Sequence, residues 1–318
     1  MKLIPPPRLN EDSFEALIAQ VPGLEKEDEV TVDLTTLQFV DPYGMVGLLE
    51  LAHYLASRST FPSLLPPASE DVVKYLERLD FFKFAPGLYN LSRHWPVPSD
   101  RFFRKRESDV LLEITPVEGS LDVHDIVVKV KRRAGRILSE HLNYDRDDID
   151  KFLVAVSEVC QNIPEHSESA GWIGIQKYFY EKRLGKNVVK IAVMDLGIGI
   201  RKSLGRRGWS DKMAIEKALF EGVSRHKDLG RGHGLTSVKG LVQAWGGKIA
   251  IRSGTAKVGL FPNWAAERLK GELPHFPGTQ ISIVLPQLPP ESPPSGNPGG
   301  NRHQASMECN DGVAMTRR

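Results

Sequence analysis

Three glycines in five residues, Gly230-Arg231-Gly232-His233-Gly234, stand immediately before a segment with helical periodicity. Leu235, Val238, Leu241, Val242 and Trp245 fall near one face of that predicted helix, and Gly246-Gly247 ends it. Glycines at a helix N-terminus leave backbone N–H groups open at the positive end of the helix dipole, which makes an anion site. Two familiar phosphate loops do not fit. A Walker loop needs Lys-Ser or Lys-Thr after its last glycine, and none follows here. A dinucleotide fingerprint directly follows a strand, whereas Ser224-Arg225-His226-Lys227-Asp228 precedes this one.

Two further patterns lie upstream. Val188 to Met194 is β-branched and largely apolar, so it predicts a strand, and it delivers Asp195 at its end, followed by Gly197 and Gly199. Glycines there let a ligand approach the backbone, and Asp195 could accept a hydrogen bond from an exocyclic amine such as adenine's. A strand-end aspartate also commonly caps a turn. Earlier still, Phe152, Leu153, Ala155, Val156, Val159 and Cys160 form a helical apolar stripe, while Glu158, Asn162 and His166 follow one another at intervals of four on another face. A carboxylate beside an amide oxygen could hold a divalent cation and orient or deprotonate a nucleophile. The plain alternative is a solvated face. Pro164 removes a backbone donor just after Asn162, so a kink or an early helix end is expected.

Length and composition bound the rest. A chain of 318 residues exceeds the size at which one core stops growing, so about two domains are expected. The formal net charge of +2 offers no global field for nucleic acid or an anionic membrane. Two cysteines, Cys160 and Cys309, are too few for a disulfide scaffold and fit a reducing compartment. Three prolines at 5–7 interrupt the N-terminus before a signal-peptide core could form, and no apolar stretch reaches the ~18 residues of a membrane span. A cytoplasmic protein without nucleic-acid or membrane partners is the expectation.

Composition shifts divide the chain into residues 1–105, 106–287 and 288–318. In the first part, Val30 to Leu34 predicts a strand, and Leu37, Phe39 and Val40 carry a second apolar stretch into a turn. Gly44 opens a helical run with Val46, Leu49, Leu51 and Leu55, and Val72, Val73, Leu76, Leu79 and Phe82 repeat the spacing. Between them Phe61 to Pro67 reads as too proline-rich for a central strand. Charges from Arg101 to Glu107 suggest a linker, and the Pro/Gly/Ser-rich segment after Pro289 predicts a disordered tail.

The order and separation of the three site motifs, with Gly278-Thr279 leading a last strand from Gln280 to Leu285, resemble the ATP-binding fold of histidine kinases, gyrase, heat-shock chaperone ATPases and anti-sigma kinases. That resemblance implies a Bergerat-type two-layer α/β sandwich binding ATP and Mg²⁺. Asn162 would ligate Mg²⁺ and Glu158 would act as the base. Asp195 would bind the adenine amine, with Thr279 supporting that end. Gly197, Gly199, His166 and Leu235 would line the nucleotide site, and Gly230, Gly232 and Gly234 would cradle phosphates. Residues 201–228 would form a lid whose Lys202, Arg206, Arg207, Arg225 or Lys227 could meet phosphate oxygens.

Residues Asp33 to Gly44, the apolar helix after them and Leu76 to Phe82 resemble a STAS domain, the small α/β fold of bacterial anti-sigma antagonists. Signalling members carry a phosphorylated serine after the aspartate of that turn; Pro42 and Tyr43 stand here instead. Together the two resemblances imply a bacterial partner-switching regulator that binds Mg-ATP and acts as a serine/threonine kinase on a STAS-type or sigma-pathway partner, with homodimerisation left open. The alternatives are a non-catalytic ATP-dependent binding module and a divergent sensor histidine kinase. Against the latter, only about forty residues separate the one candidate acceptor, His124, from Asn162. At 1.5 Å rise per residue that is too little chain for a helical hairpin and a strand.

Overall fold

The computed structural model describes residues 1–22, 29–58, 61–91, 109–180, 182, 184–224, 234–265 and 272–290. Residues 1–288 form one compact unit, and 289–318 are a second of which only the first two residues are described. The expected boundary near 105 and the expected tail therefore lie outside the described residues.

The N-terminal part is a small α/β unit. Strands β1 (Lys2–Leu3), β3 (Thr31–Asp33), β5 (Ser63–Leu65) and β6 (Asn90–Leu91) pair in parallel in that order. A separate two-stranded ribbon joins β2 (Arg8–Leu9) to β4 (Phe39–Val40). Helices α1 (Phe14–Ile18), α2 (Pro42–Ser57), α3 (Glu70–Arg78) and α4 (Phe81–Phe84) complete the unit. Two expectations need correcting here. Residues 63–65 are an interior strand, because Pro62, Pro66 and Pro67 fall just outside the three paired positions. Helix α2 starts at Pro42, two residues before Gly44: Pro42 needs no N–H at the first helical position, and Asp41 caps the helix by accepting the Gly44 N–H at 3.0 Å.

The second part is a six-stranded antiparallel sheet with helices on one face. Its strands are β7 (Val110–Val117), β8 (Gly171–Tyr180), β9 (Lys186–Asp195), β10 (Lys248–Gly254), β11 (Ala256–Leu260) and β12 (Phe276–Pro286), in the order β11-β10-β12-β9-β8-β7. Helices α5 (Ser120–Leu142), α6 (Arg146–Asn162), α7 (Gly199–Leu204), α8 (Asp211–Phe220) and α9 (Gly234–Ala244) complete it. His124 is exposed on α5, a single helix rather than a hairpin.

Period-two alternation gives each face of this sheet its own core. Ile173 and Ile175 of β8, Val189, Ile191 and Val193 of β9, and Ile281 and Ile283 of β12 pack with the stripes of α5, α6 and α9. Trp172, Ala192 and Met194, on the opposite face, join the core of the N-terminal unit. Helix α2 lies against β8 and β9 there, which explains why Pro42 to Ala52 is buried throughout: a helix apolar on all sides is one covered on all sides.

The buried charges on this second face are matched. Lys190 of β9 is paired with Asp41, Lys248 of β10 and Lys257 of β11 with Glu11, and Arg252 with Glu15 at 2.9 Å. Among the described residues no helix is long and apolar enough to cross a membrane.

Candidate nucleotide site

Helix α6 begins with a capping box between Asp145 and Asp148 and buries the predicted stripe from Phe152 to Cys160. Pro164 cannot donate to the ladder, and the chain widens there into a π-helical turn, Ile163–Ser167. That turn carries Glu165 and His166 onward beside Asn162. The Asn162 side-chain Nδ2 donates to the Glu158 carbonyl at 2.9 Å, which leaves the amide oxygen for another partner.

Strand β9 ends at Asp195, where the chain turns into α7. Asp195 Oδ1 accepts the Gly197 N–H at 2.8 Å, and the Thr279 backbone N–H of β12 also donates to the carboxylate. Burial nevertheless dominates and pushes its pKa up to about 7. Gly197 must be glycine for steric reasons, since a Cβ would collide with the Ser167 carbonyl, which accepts the Ile198 N–H at 2.8 Å. Gly199 has φ +73° and sits against Ser253, whose Oγ accepts the Ile200 N–H at 3.1 Å and donates to the Gly278 carbonyl at 2.8 Å.

These elements enclose a cavity of about 420 Å³. It is lined by Glu158, Asn162, His166, Asp195, Gly199, Gly234, Leu235 and Thr279 together with Glu165, Val193, Ile200 and Ile281. Eight sequence-predicted residues thus meet in one place. Gly197 lies behind the lining, packed on Ser167. Gly230 and Gly232 lie outside the described residues, as do Arg225 and Lys227. Of the remaining lid cations, Lys202, Arg206 and Arg207 are exposed and away from the cavity lining, and Arg201 is engaged with Asp211 at 2.9 Å.

Polar groups concentrate at the α6–α9 end of the cavity. The Glu158 carboxylate lies against Gly234, the first residue of α9. Burial raises the Glu158 pKa, and the neighbouring Glu165 charge raises it further. Glu165 Oε1 accepts from Gln161 Nε2 at 3.0 Å, and its Oε2 is 3.9 Å from His166 Nε2. Sequence reasoning missed Glu165, Ser167 and Ser253. Glu165 adjoins two predicted residues and was within reach of the pattern, whereas a serine inside a strand carries no signal of the turn it holds.

The donor set suits a nucleotide carrying its own cation. Among the described residues, no cluster of three or more His, Cys, Asp or Glu side chains could hold a metal by itself. A Mg²⁺ ion held by one protein oxygen and by phosphates needs no such cluster.

The chain has no match among curated proteins. Residues 147–289, the segment from α6 through β12 that carries every residue of this cavity, match the family model of histidine kinase-, DNA gyrase B-, and HSP90-like ATPases, which supports a GHKL-type fold for this part of the chain.

Proposed function

We propose that this protein binds Mg-ATP in the cavity between α6, α9 and the β9/β12 end of the sheet, and transfers phosphate to a hydroxyl on a separate protein, a regulatory partner of STAS type. The observation that carries this reading is that one cavity gathers an amine-accepting carboxylate, Asp195, and a carboxylate-amide pair, Glu158 and Asn162, beside a helix N-terminus. Asp195 and Thr279 hold the base. The N-terminus of α9 would receive the polyphosphate, and Asn162 Oδ1 would hold the cation, which would neutralise charge on the phosphates. Glu158 stands beside this group and takes the proton of the attacking hydroxyl.

The acceptor belongs to another chain. The turn where STAS-type signalling proteins carry their phosphoserine is here Asp41-Pro42-Tyr43-Gly44, and all four residues are buried. Asp41 is fixed twice, as the cap of α2 and as the partner of Lys190. The N-terminal unit therefore serves as a cover of the ATPase sheet rather than as a substrate.

Incubation with γ-labelled ATP and candidate STAS proteins tests the kinase step, and calorimetry with ATP on wild type and Asp195→Ala tests the site. Loss of ATP binding in a folded Asp195→Ala protein supports the assignment, because a site built on a hydrogen bond to an amine is penalised when the acceptor goes. Equal affinity in the two proteins refutes it. ATP binding with no transfer or hydrolysis would leave the non-catalytic binding module in its place.

A further inference from the structure

Helices α6 and α9 pack side by side, and the space between them does not end at the nucleotide cavity. A second groove of about 460 Å³ lies between the same two helices. Val154 and Ala155 of α6 and Val238 and Leu241 of α9 give it an apolar lining. Val154 is 57% exposed, so the groove offers an apolar position that no described residue covers. Two residues, Glu158 from α6 and Ser237 from α9, line the groove and the nucleotide cavity alike. The carboxylate assigned as the base therefore stands where the two spaces meet, with the nucleotide site on one side and a surface groove on the other.

The far end of the groove is acidic. Asp147 and Asp150 line it, both exposed, and their spacing puts them on one face of α6. Lys151, in the same lining, is engaged by Asp148 at 3.5 Å, which leaves the two outer carboxylates open to a cation from a ligand. Length then sets a register. Val154 lies four residues before Glu158 on α6, Asp150 eight and Asp147 eleven, or about 6, 12 and 16 Å at 1.5 Å per residue. An extended chain rises about 3.3 Å per residue, so a segment with a hydroxyl at Glu158 sets its second residue onward against Val154 and its fourth and fifth beside Asp150 and Asp147.

Resting on the kinase reading above, we propose that this groove docks the phosphoacceptor segment of the partner protein: an extended stretch with a serine or threonine at Glu158, an apolar side chain two residues away over Val154 and Leu241, and lysine or arginine four to five residues away. The charge of Asp147 and Asp150 selects the basic residues, and the continuity of the two spaces through Glu158 and Ser237 brings the hydroxyl to the nucleotide. In the transfer the hydroxyl oxygen forms a bond to the γ-phosphorus and the bond from that phosphorus to the β,γ-bridging oxygen breaks. The hydroxyl proton passes to Glu158, and ADP leaves. Asp147, Asp150, Val154 and Leu241 do not line the nucleotide cavity, so they decide which chain is phosphorylated rather than whether ATP binds.

The test is transfer from γ-labelled ATP by the full chain to the synthetic peptide Ser-Gly-Leu-Gly-Arg-Arg, and to its reverse because the groove does not fix chain direction, with Val154→Asp and Asp150→Lys beside wild type. Both side chains are exposed and outside the nucleotide cavity, so calorimetry should give ATP affinities within about twofold of wild type. Val154→Asp is expected to raise the peptide KM about tenfold with kcat held, as is replacing the peptide's leucine by glycine. Asp150→Lys raises KM for the arginine peptide about three- to tenfold and lowers it for a peptide with glutamates in their place, a reversal that a folding defect cannot give. If wild type phosphorylates the peptide and both variants match it, the docking proposal is overturned while the kinase reading stands. The same holds if a STAS-type protein is phosphorylated and neither peptide is. If nothing is phosphorylated, the kinase reading falls and the docking proposal with it. A Val154→Asp protein whose oligomeric state changes while its peptide KM does not would assign the groove to a second copy of this chain and overturn the proposal as well.

Discussion

The carboxylate of Glu158 rests against the backbone of Gly234 so closely that a methyl group at position 234 would occupy the space of Glu158 Oε2. This first residue of α9 thus does more than bare backbone N–H groups for an anion: it lets the helix N-terminus and the Glu158 carboxylate share one end of the cavity. Gly234→Ala forces the carboxylate to move. Alanine is favoured in a helix, so thermal stability should hold. Turnover should fall by about 10²-fold, the usual effect of misplacing a catalytic group by about 1 Å. Wild-type turnover in this variant would show that the contact has no catalytic meaning.

Glu158 and Asn162 should fail differently when altered. Glu158→Gln keeps the shape and removes the basic charge, so ATP should bind within a few-fold of wild type while turnover drops by about 10²–10⁴. Asn162→Ala removes the oxygen offered to the cation, and its defect should appear as weaker nucleotide binding that depends on Mg²⁺. Calorimetry with and without Mg²⁺, alongside a turnover assay, separates the two. A common defect in both variants would argue against divided roles.

Glu165, seven residues on from Glu158, adds its charge to the surroundings of the proposed base. A base works only when ionised, so activity rises with pH through the Glu158 pKa, which burial and then Glu165 hold above the ordinary carboxylate value. Glu165→Gln removes the second cause, and the acid limb of the turnover profile should move to lower pH. The ATP affinity of this variant should change little. An acid limb that stays in place would mean that burial alone sets the Glu158 pKa.

What could be read from the sequence follows from how local each signal is. Asp195 at the end of an apolar strand, the Glu158/Asn162/His166 spacing and Gly234 at the start of α9 are each set by a few neighbouring residues, and all line one cavity. A break in the helix after Asn162 was legible for the same reason, since Pro164 acts within its own helix, although the form it takes, a π-turn, was not. Long-range pairing was not legible. Lys190, Lys248 and Arg252 are charges of the kind that mark a solvent face of a strand, yet they are buried against Asp41, Glu11 and Glu15, far away in sequence. Ser63–Leu65 was hidden by its flanking prolines, which fall outside the paired positions. Glu50, buried in α2, gave no sign of it: one acid in an apolar helix reads as its exposed side until a second sheet is placed over it.

The pairing of Glu11 carries the last prediction. Glu11 is 4% exposed and sits between Lys248 and Lys257, both also buried. Burial alone would raise its pKa, but the two ammonium groups outweigh burial and hold it below the ordinary glutamate value. A carboxylate with a depressed folded-state pKa stabilises the fold above its unfolded pKa, and that contribution is lost as pH falls through the folded one. Glu11→Gln leaves two buried cations short of a counter-charge. Lys248 keeps Asp12 at 3.3 Å and Lys257 keeps the Glu11 carbonyl at 2.9 Å, so the loss is partial and on the order of 3 kcal/mol. Thermal melts at neutral pH should show this drop, and the gap between variant and wild type should close in acid, where Glu11 is protonated in both states of the wild type. Since Glu11 belongs to the N-terminal unit and both lysines to the six-stranded sheet, the melt should remain one transition with a lowered midpoint. Two separate transitions, or an unchanged midpoint, would mean that the N-terminal unit and the six-stranded sheet are held together by something other than these charges.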